Sequence, residues 1–195
     1  MRNTLHMRVL GAVVLMGAAT FFAGCKSAPD LSEAQALQLV QAKYDQTPVG
    51  ATILVDDLGM RQGITGKLWE RTKMYPNKYW ADFKLTDAGK KAVKLGNGGD
   101  TIEWRPSGLD DKNYSVVMTT VAANPLKAKE LNNIQDEMVP GVATAKSASF
   151  AEVVNLTGVP DVLQEIAHNP GNKLSTRRSA DFSLEGNTWV LHAIR

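Results

Sequence analysis

A single cysteine, Cys25, stands in 195 residues, so no disulfide within the chain is available and stability has to come from packing. The nucleophile elbow G-x-S-x-G is missing, as are H-E-x-x-H and the paired Cys and His spacings that hold zinc. Histidine is scarce, and only His168 and His192 follow Cys25. Gly96-Asn97-Gly98-Gly99 has no Lys-Ser or Lys-Thr helix behind it and is not a phosphate cradle. Asp110-Asp111-x-Asn113 lacks the glycine and the distal glutamate of a calcium loop. These gaps leave no catalytic residues, no cofactor and no metal to expect.

What is present begins at the N-terminus. Arg2 and Arg8 precede an apolar run from Val9 to Phe22, no Asp or Glu occurs before Cys25, and small residues lead into the cysteine. Fourteen apolar-run residues fall short of the ~20 that span a bilayer, and a small-residue site follows them, as in a secretory leader. The segment Phe22-Ala23-Gly24-Cys25 resembles the lipobox of a bacterial lipoprotein signal peptide, with Phe22 where the family has Leu. The resemblance implies cleavage before Cys25, a diacylglyceryl thioether on its sulfur and an acyl chain such as palmitate on the new amine. Several acyl chains hold a protein on a membrane stably where one does not. Lys26 occupies the position at which the enterobacterial family uses Asp for inner-membrane retention, which implies the periplasmic face of the cell outer membrane.

The chain is then expected to comprise a signal peptide (1–24), a lipidated tether (25–30) and a folded body (31–195). That body reads as one α+β domain or as two small halves, 31–100 and 101–195. Arg2 and Arg8 account for the whole net charge of +2, so the body is electrically balanced and a general affinity for nucleic acid is not supported. The balance is global and not local: in residues 61–99 nine Lys or Arg face three Asp or Glu, and the segments on either side are acidic.

Hydrophobic spacing predicts the elements. Asp30 with Glu33 reads as a capping box for a helix over Leu31–Asp45, with Ala34, Leu37, Val40 and Tyr44 on one face. Residues 51–71 are ambiguous, a short apolar run at Ile53–Val55 being followed by a helix pattern broken by Gly59, Gly63 and Gly66. Tyr79–Leu85 alternates as a strand, and Thr86 caps a helix through Lys94. Ile102–Arg105 and Tyr114–Val121 read as a hairpin around a loop, and Asn124-Pro125 as the start of a helix ending before Pro140. A strand over Ser147–Leu156, a helix over Val159–His168 and a hairpin of Leu174–Leu184 with Thr188–Ile194 complete the chain. The expected class is α+β: a mixed antiparallel sheet with several short helices and a C-terminal β-hairpin. Ala81-Asp82-Phe83-Lys84-Leu85 and Ala180-Asp181-Phe182-Ser183-Leu184 share A-D-F-x-L, either an internal duplication or the ordinary likeness of two alternating strands.

One segment stands out as a contact surface. Lys67, Trp69, Arg71, Lys73, Tyr75, Lys78 and Trp80 interleave aromatic faces with cations, a pattern that suits an acidic envelope protein or a glycan. The competing reading places the aromatics in the core with the charges solvating it. His168 at a helix end and His192 in a strand have structural explanations, and Asp56-Asp57 reads as a turn. The sequence thus points to a lipid-anchored, non-enzymatic binding or assembly module in the periplasm, with a cell-wall-directed enzyme or enzyme inhibitor as the alternative.

Overall fold

A computed structural model describes residues 29–75, 80–105 and 115–195. The chain order is α1 (Glu33–Asp45), β1 (Val49–Val55), α2 (Asp57–Thr65), β2 (Trp69–Tyr75), β3 (Trp80–Leu85), α3 (Asp87–Ala92), β4 (Val93–Leu95), β5 (Thr101–Trp104), β6 (Val116–Asn124), β7 (Lys127–Glu137), β8 (Ala145–Val153), α4 (Asp161–Ala167), β9 (Ser175–Glu185) and β10 (Thr188–Ile194). The strands form three antiparallel sheets, β1-β6-β4, β2-β3-β5 and β10-β9-β8-β7. This is an α+β fold that ends in the β9–β10 hairpin.

Two cores hold it together. The first lies among the two three-stranded sheets, α2 and α4, and centres on Ile53, Met60, Trp69, Phe83, Met118 and Leu163. The second lies between α1 and the four-stranded sheet, where Val40, Leu131, Phe150, Phe182 and Trp189 are buried. These cores do not follow a division of the chain at residue 100. Helix α1, first in sequence, packs on strands from the last third of the chain, and α4 interrupts the sheet between β8 and β9 to pack in the first core. The chain therefore passes between the lobes after α1, before β7, after β8 and before β9. Antiparallel pairing puts all four passages at one end of the four-stranded sheet, since Lys127 pairs with Val153 and Val153 with Ser175.

Several local expectations are corrected. The helix expected from Asn124-Pro125 to Pro140 is instead β7, an edge strand. Ala128, Leu131 and Ile134 recur every third residue, which imitates a helix face, but all three pack on the second core because two bulges reset the alternation. Glu130 (φ 51°) and Asn133 (φ 53°) are the residues turned into left-handed backbone there. The hairpin expected between Ile102 and Val121 does not form. β5 pairs with β3, Ile102 opposite Phe83, while β6 joins β1 and β4. Alternation predicts strands and their faces, but it carries no information on which partner a strand finds.

Helix boundaries shift for identifiable reasons. The α1 cap is Ser32, whose hydroxyl accepts from the Gln35 amide at 3.2 Å, whereas Asp30 accepts from Leu31 and reaches Lys146. The buried face of α1 is Ala36 and Val40, and Ala34 is exposed. Helix α3 stops at Ala92, because Val93 and Leu95 enter β4 beside Thr120 and Met118. In the ambiguous stretch, α2 accommodates Gly59 and Gly63 internally and places Gly66 at its C-terminus, with the Asp56 carboxylate accepting from Gly59 as N-cap. The A-D-F-x-L segments are inner strands of different sheets, each burying its Ala and Phe.

Candidate functional site

The basic, aromatic segment forms β2 and its turn out of α2. Trp69 anchors the strand: only 1% of it is exposed, and its indole N–H donates to the Met60 carbonyl at 2.9 Å. It belongs to the core and is not part of a surface. Beyond it Glu70, Arg71, Thr72, Lys73 and Met74 are all exposed, because β2 is the edge strand of its sheet. Met74 is 59% exposed, unusual for an unpaired edge. A bulge between Arg71 and Lys73 turns the Thr72 hydroxyl onto the Asp82 carbonyl at 3.1 Å.

The charges on this edge engage aromatic and sulfur atoms. The Arg71 guanidinium lies 5.9 Å from the Phe83 ring centre and donates to the Met74 sulfur at 3.2 Å. Lys73 sits 4.5 Å from the Tyr75 ring, and the Tyr75 hydroxyl donates to Asp82 at 3.0 Å. Among the described residues no carboxylate forms an ion pair with Lys67, Arg71 or Lys73. Two other cations of the basic run are met internally, Lys84 and Lys90 converging on Asp100 at 3.7 and 2.9 Å. The Lys90 hydrogen bond holds the Asp100 carboxyl below its ordinary range, and the same bond raises Lys90. Lys78 lies outside the described residues, and of Trp80 only the backbone register opposite Tyr75 is described.

The histidines are placed apart. His168 ends α4, and its Nδ1 donates to the Gln164 carbonyl at 2.6 Å beside a shallow hollow lined by Asp161 and Glu165. His192 sits at the β10 bulge, its Nε2 2.5 Å from the Ser183 hydroxyl and 3.9 Å from Glu185. Serine and carboxylate address the same ring nitrogen, whereas a triad needs the acid on the other one and an accessible nucleophile. Ser183 is only 2% exposed, so this contact staples two strands. Among the described residues no three His, Cys, Asp or Glu gather as a metal site.

Two features escaped the sequence reading. The four-stranded sheet turns a polar face away from α1, a 560 Å³ groove lined by Gln135, Ser147, Ser149, Ser179 and Arg195, with Arg195 bridging Glu137 and Asp181. The S-x-S alternation of β8 was its only signal. The second feature is how the body receives the tether. The buried Trp189 donates its indole N–H to the Pro29 carbonyl at 2.9 Å, Leu31 is buried, and the Lys146 ammonium lies 3.0 Å from both Asp30 and Asp136. Lys146 accordingly holds the Asp30 carboxyl below its ordinary range. Cys25 lies outside the described residues. Comparison with protein families, curated proteins and solved structures finds no match to this chain.

Proposed function

We propose that the chain is a lipid-anchored cell-envelope protein, held through Cys25 at the periplasmic face of the outer membrane, that acts as a non-enzymatic binding or assembly module. One observation carries this reading. The tether enters at Pro29 against Trp189, at the end of the four-stranded sheet opposite to all four passages into the first-core lobe. A lipid on Cys25 therefore leaves the β2 edge on the far lobe, separated from the anchor by the length of β8, nine residues or roughly 30 Å at ~3.3 Å per residue. Among the described residues no strand pairs with the outer side of that edge, which leaves backbone groups for strand addition, with Arg71 and Lys73 beside them to favour an acidic protein or glycan.

Two measurements test it. Mass spectrometry of the native protein should show the diacylglyceryl adduct on Cys25, and Cys25→Ser should abolish leader cleavage and membrane attachment. Neutralising Lys67, Arg71, Lys73 and Lys78 together to Gln should weaken capture of the partner from envelope extracts, most strongly at low salt. Folding should change little, since exposed charges contribute within ~0.5 kcal/mol each. A quadruple variant that melts much earlier and binds unchanged makes the segment structural and removes the contact surface.

A further inference from the structure

The β7–β8 loop, residues 138–144, is Met-Val-Pro-Gly-Val-Ala-Thr, seven residues without a charge. Met138 is 100% exposed and Val139 38% exposed. The loop is ordered around a turn: the Val142 amide donates to the Val139 carbonyl at 3.0 Å, with Pro140 second and Gly141 (φ 80°) third, as a type II turn requires. The Leu184 amide, donating to the Thr144 carbonyl at 3.0 Å, fastens its far base to β9. Among the described residues nothing covers the Met138 side chain at this uncharged, preorganised tip.

Its position says what covers it. Asp136, two residues before Met138, shares the Lys146 ammonium with Asp30, so the loop base and the tether meet on one side chain. Only four residues run from Cys25 to Ala28 before the pinned Pro29, a reach of about 14 Å at ~3.5 Å per residue. The acids flanking the loop are already paired, Asp136 with Lys146 and Glu137 with Arg195 at 3.2 Å, which lowers the cost of bringing them near lipid headgroups. Exposure by itself would not single out this loop, because Leu54, Val117 and Val121 are also exposed, but on the first-core lobe away from the tether.

We infer that the Met138–Val142 tip inserts into the lipid surface that carries the Cys25 anchor, which it meets as a second, non-covalent contact and so sets how the body stands on the membrane. The inference rests on lipidation of Cys25, and the experiment separates the two. Full-length Met138→Cys protein, processed in cells so that Cys25 is lipidated, is labelled at position 138 with an environment-sensitive dye and reconstituted in phosphatidylethanolamine–phosphatidylglycerol vesicles; Met74→Cys on β2 is the control. The 138 probe should shift to the blue and lose most of its emission to lipid-borne quenchers, while the 74 probe should do neither. A 138 probe that stays in water, on protein whose mass confirms the Cys25 adduct, overturns the insertion and leaves the anchor intact. An unmodified Cys25 removes the anchor and the insertion together. Shielding in native envelopes but not in pure lipid assigns the loop to a protein partner and also overturns it.

Discussion

Two tryptophans each satisfy an indole N–H with one backbone carbonyl, and each thereby joins parts of the chain far from obvious in the sequence. Trp189 secures Pro29, and Trp69 secures Met60 on α2. The second contact depends on Gly63, where a Cβ would stand 1.8 Å from the Trp69 ring carbon Cζ2. The ring is buried and held by its own hydrogen bond, so it cannot retreat freely. Gly63→Ala should destabilise the protein by about 1–3 kcal/mol, the usual cost of overpacking, despite alanine's better helix propensity. A urea midpoint that rises would show that α2 can slide off Trp69 at no cost. Gly63, which looks like a helix breaker, is thus the residue that lets α2 approach a large ring.

Edge strands pose the next problem, and two side-chain amides solve it. Gln41 of α1 donates to the Leu126 carbonyl at 2.9 Å and accepts from the Ala128 amide at 3.1 Å, taking the place of a strand beside the start of β7. Asn172 does the same for β1, accepting from the Leu54 amide at 2.7 Å and donating to its carbonyl at 2.9 Å. Together with the two bulges, Gln41 makes β7 unfit to pair with another chain. Gln41→Ala should cost roughly 1–3 kcal/mol, because two backbone groups lose partners at a half-buried edge. Gln41→Glu keeps the acceptor but sets a carboxylate against the Leu126 carbonyl and against Asp45, to which Gln41 also donates at 2.8 Å, so it should cost at least as much at neutral pH, and a smaller loss in urea titrations would rule out this account. β2 has no such guard among the described residues, which is why it is the edge assigned to a partner.

At the scale of the molecule, the interleaving of the cores has a consequence for unfolding. Four passages cross between the lobes, and Asn124 fastens two of them by donating to the carbonyls of Asn155 and Thr157 at 3.2 and 2.7 Å. Opening either lobe pulls on α1 or α4, each of which is continuous with the other lobe. Circular dichroism and amide exchange in β3 and β9 should therefore report one coincident transition. Two separated transitions would mean that the passages act as linkers. The same organisation puts the point where the tether enters, at Pro29, and the β2 edge on different lobes, so in the proposed arrangement membrane attachment and partner contact need not compete.

What the sequence by itself determined is whatever depends on local chemistry. Thr86 acts through neighbouring backbone, and the alternation at Ala81–Leu85 and Ala180–Leu184 sets which side chains face inward regardless of partner. The α+β class and the C-terminal hairpin, closed by Glu185-Gly186-Asn187, follow from such short-range signals. The tertiary structure alone decided the pairing. β5 chose β3 over β6, and α1 chose a sheet more than eighty residues away, because burial of Phe83 and Phe150 is a non-local gain that no window of sequence contains. It also decided the reading of Ala128, Leu131 and Ile134, whose period of three suits a helix or a doubly bulged strand equally well until a sheet edge is there to bind it. Of the basic, aromatic segment, the charge was legible and a core place for Trp69 was one of two readings, while the strand β2 and its edge position were not, since an aromatic here points inward or outward according to what α2 places beneath it.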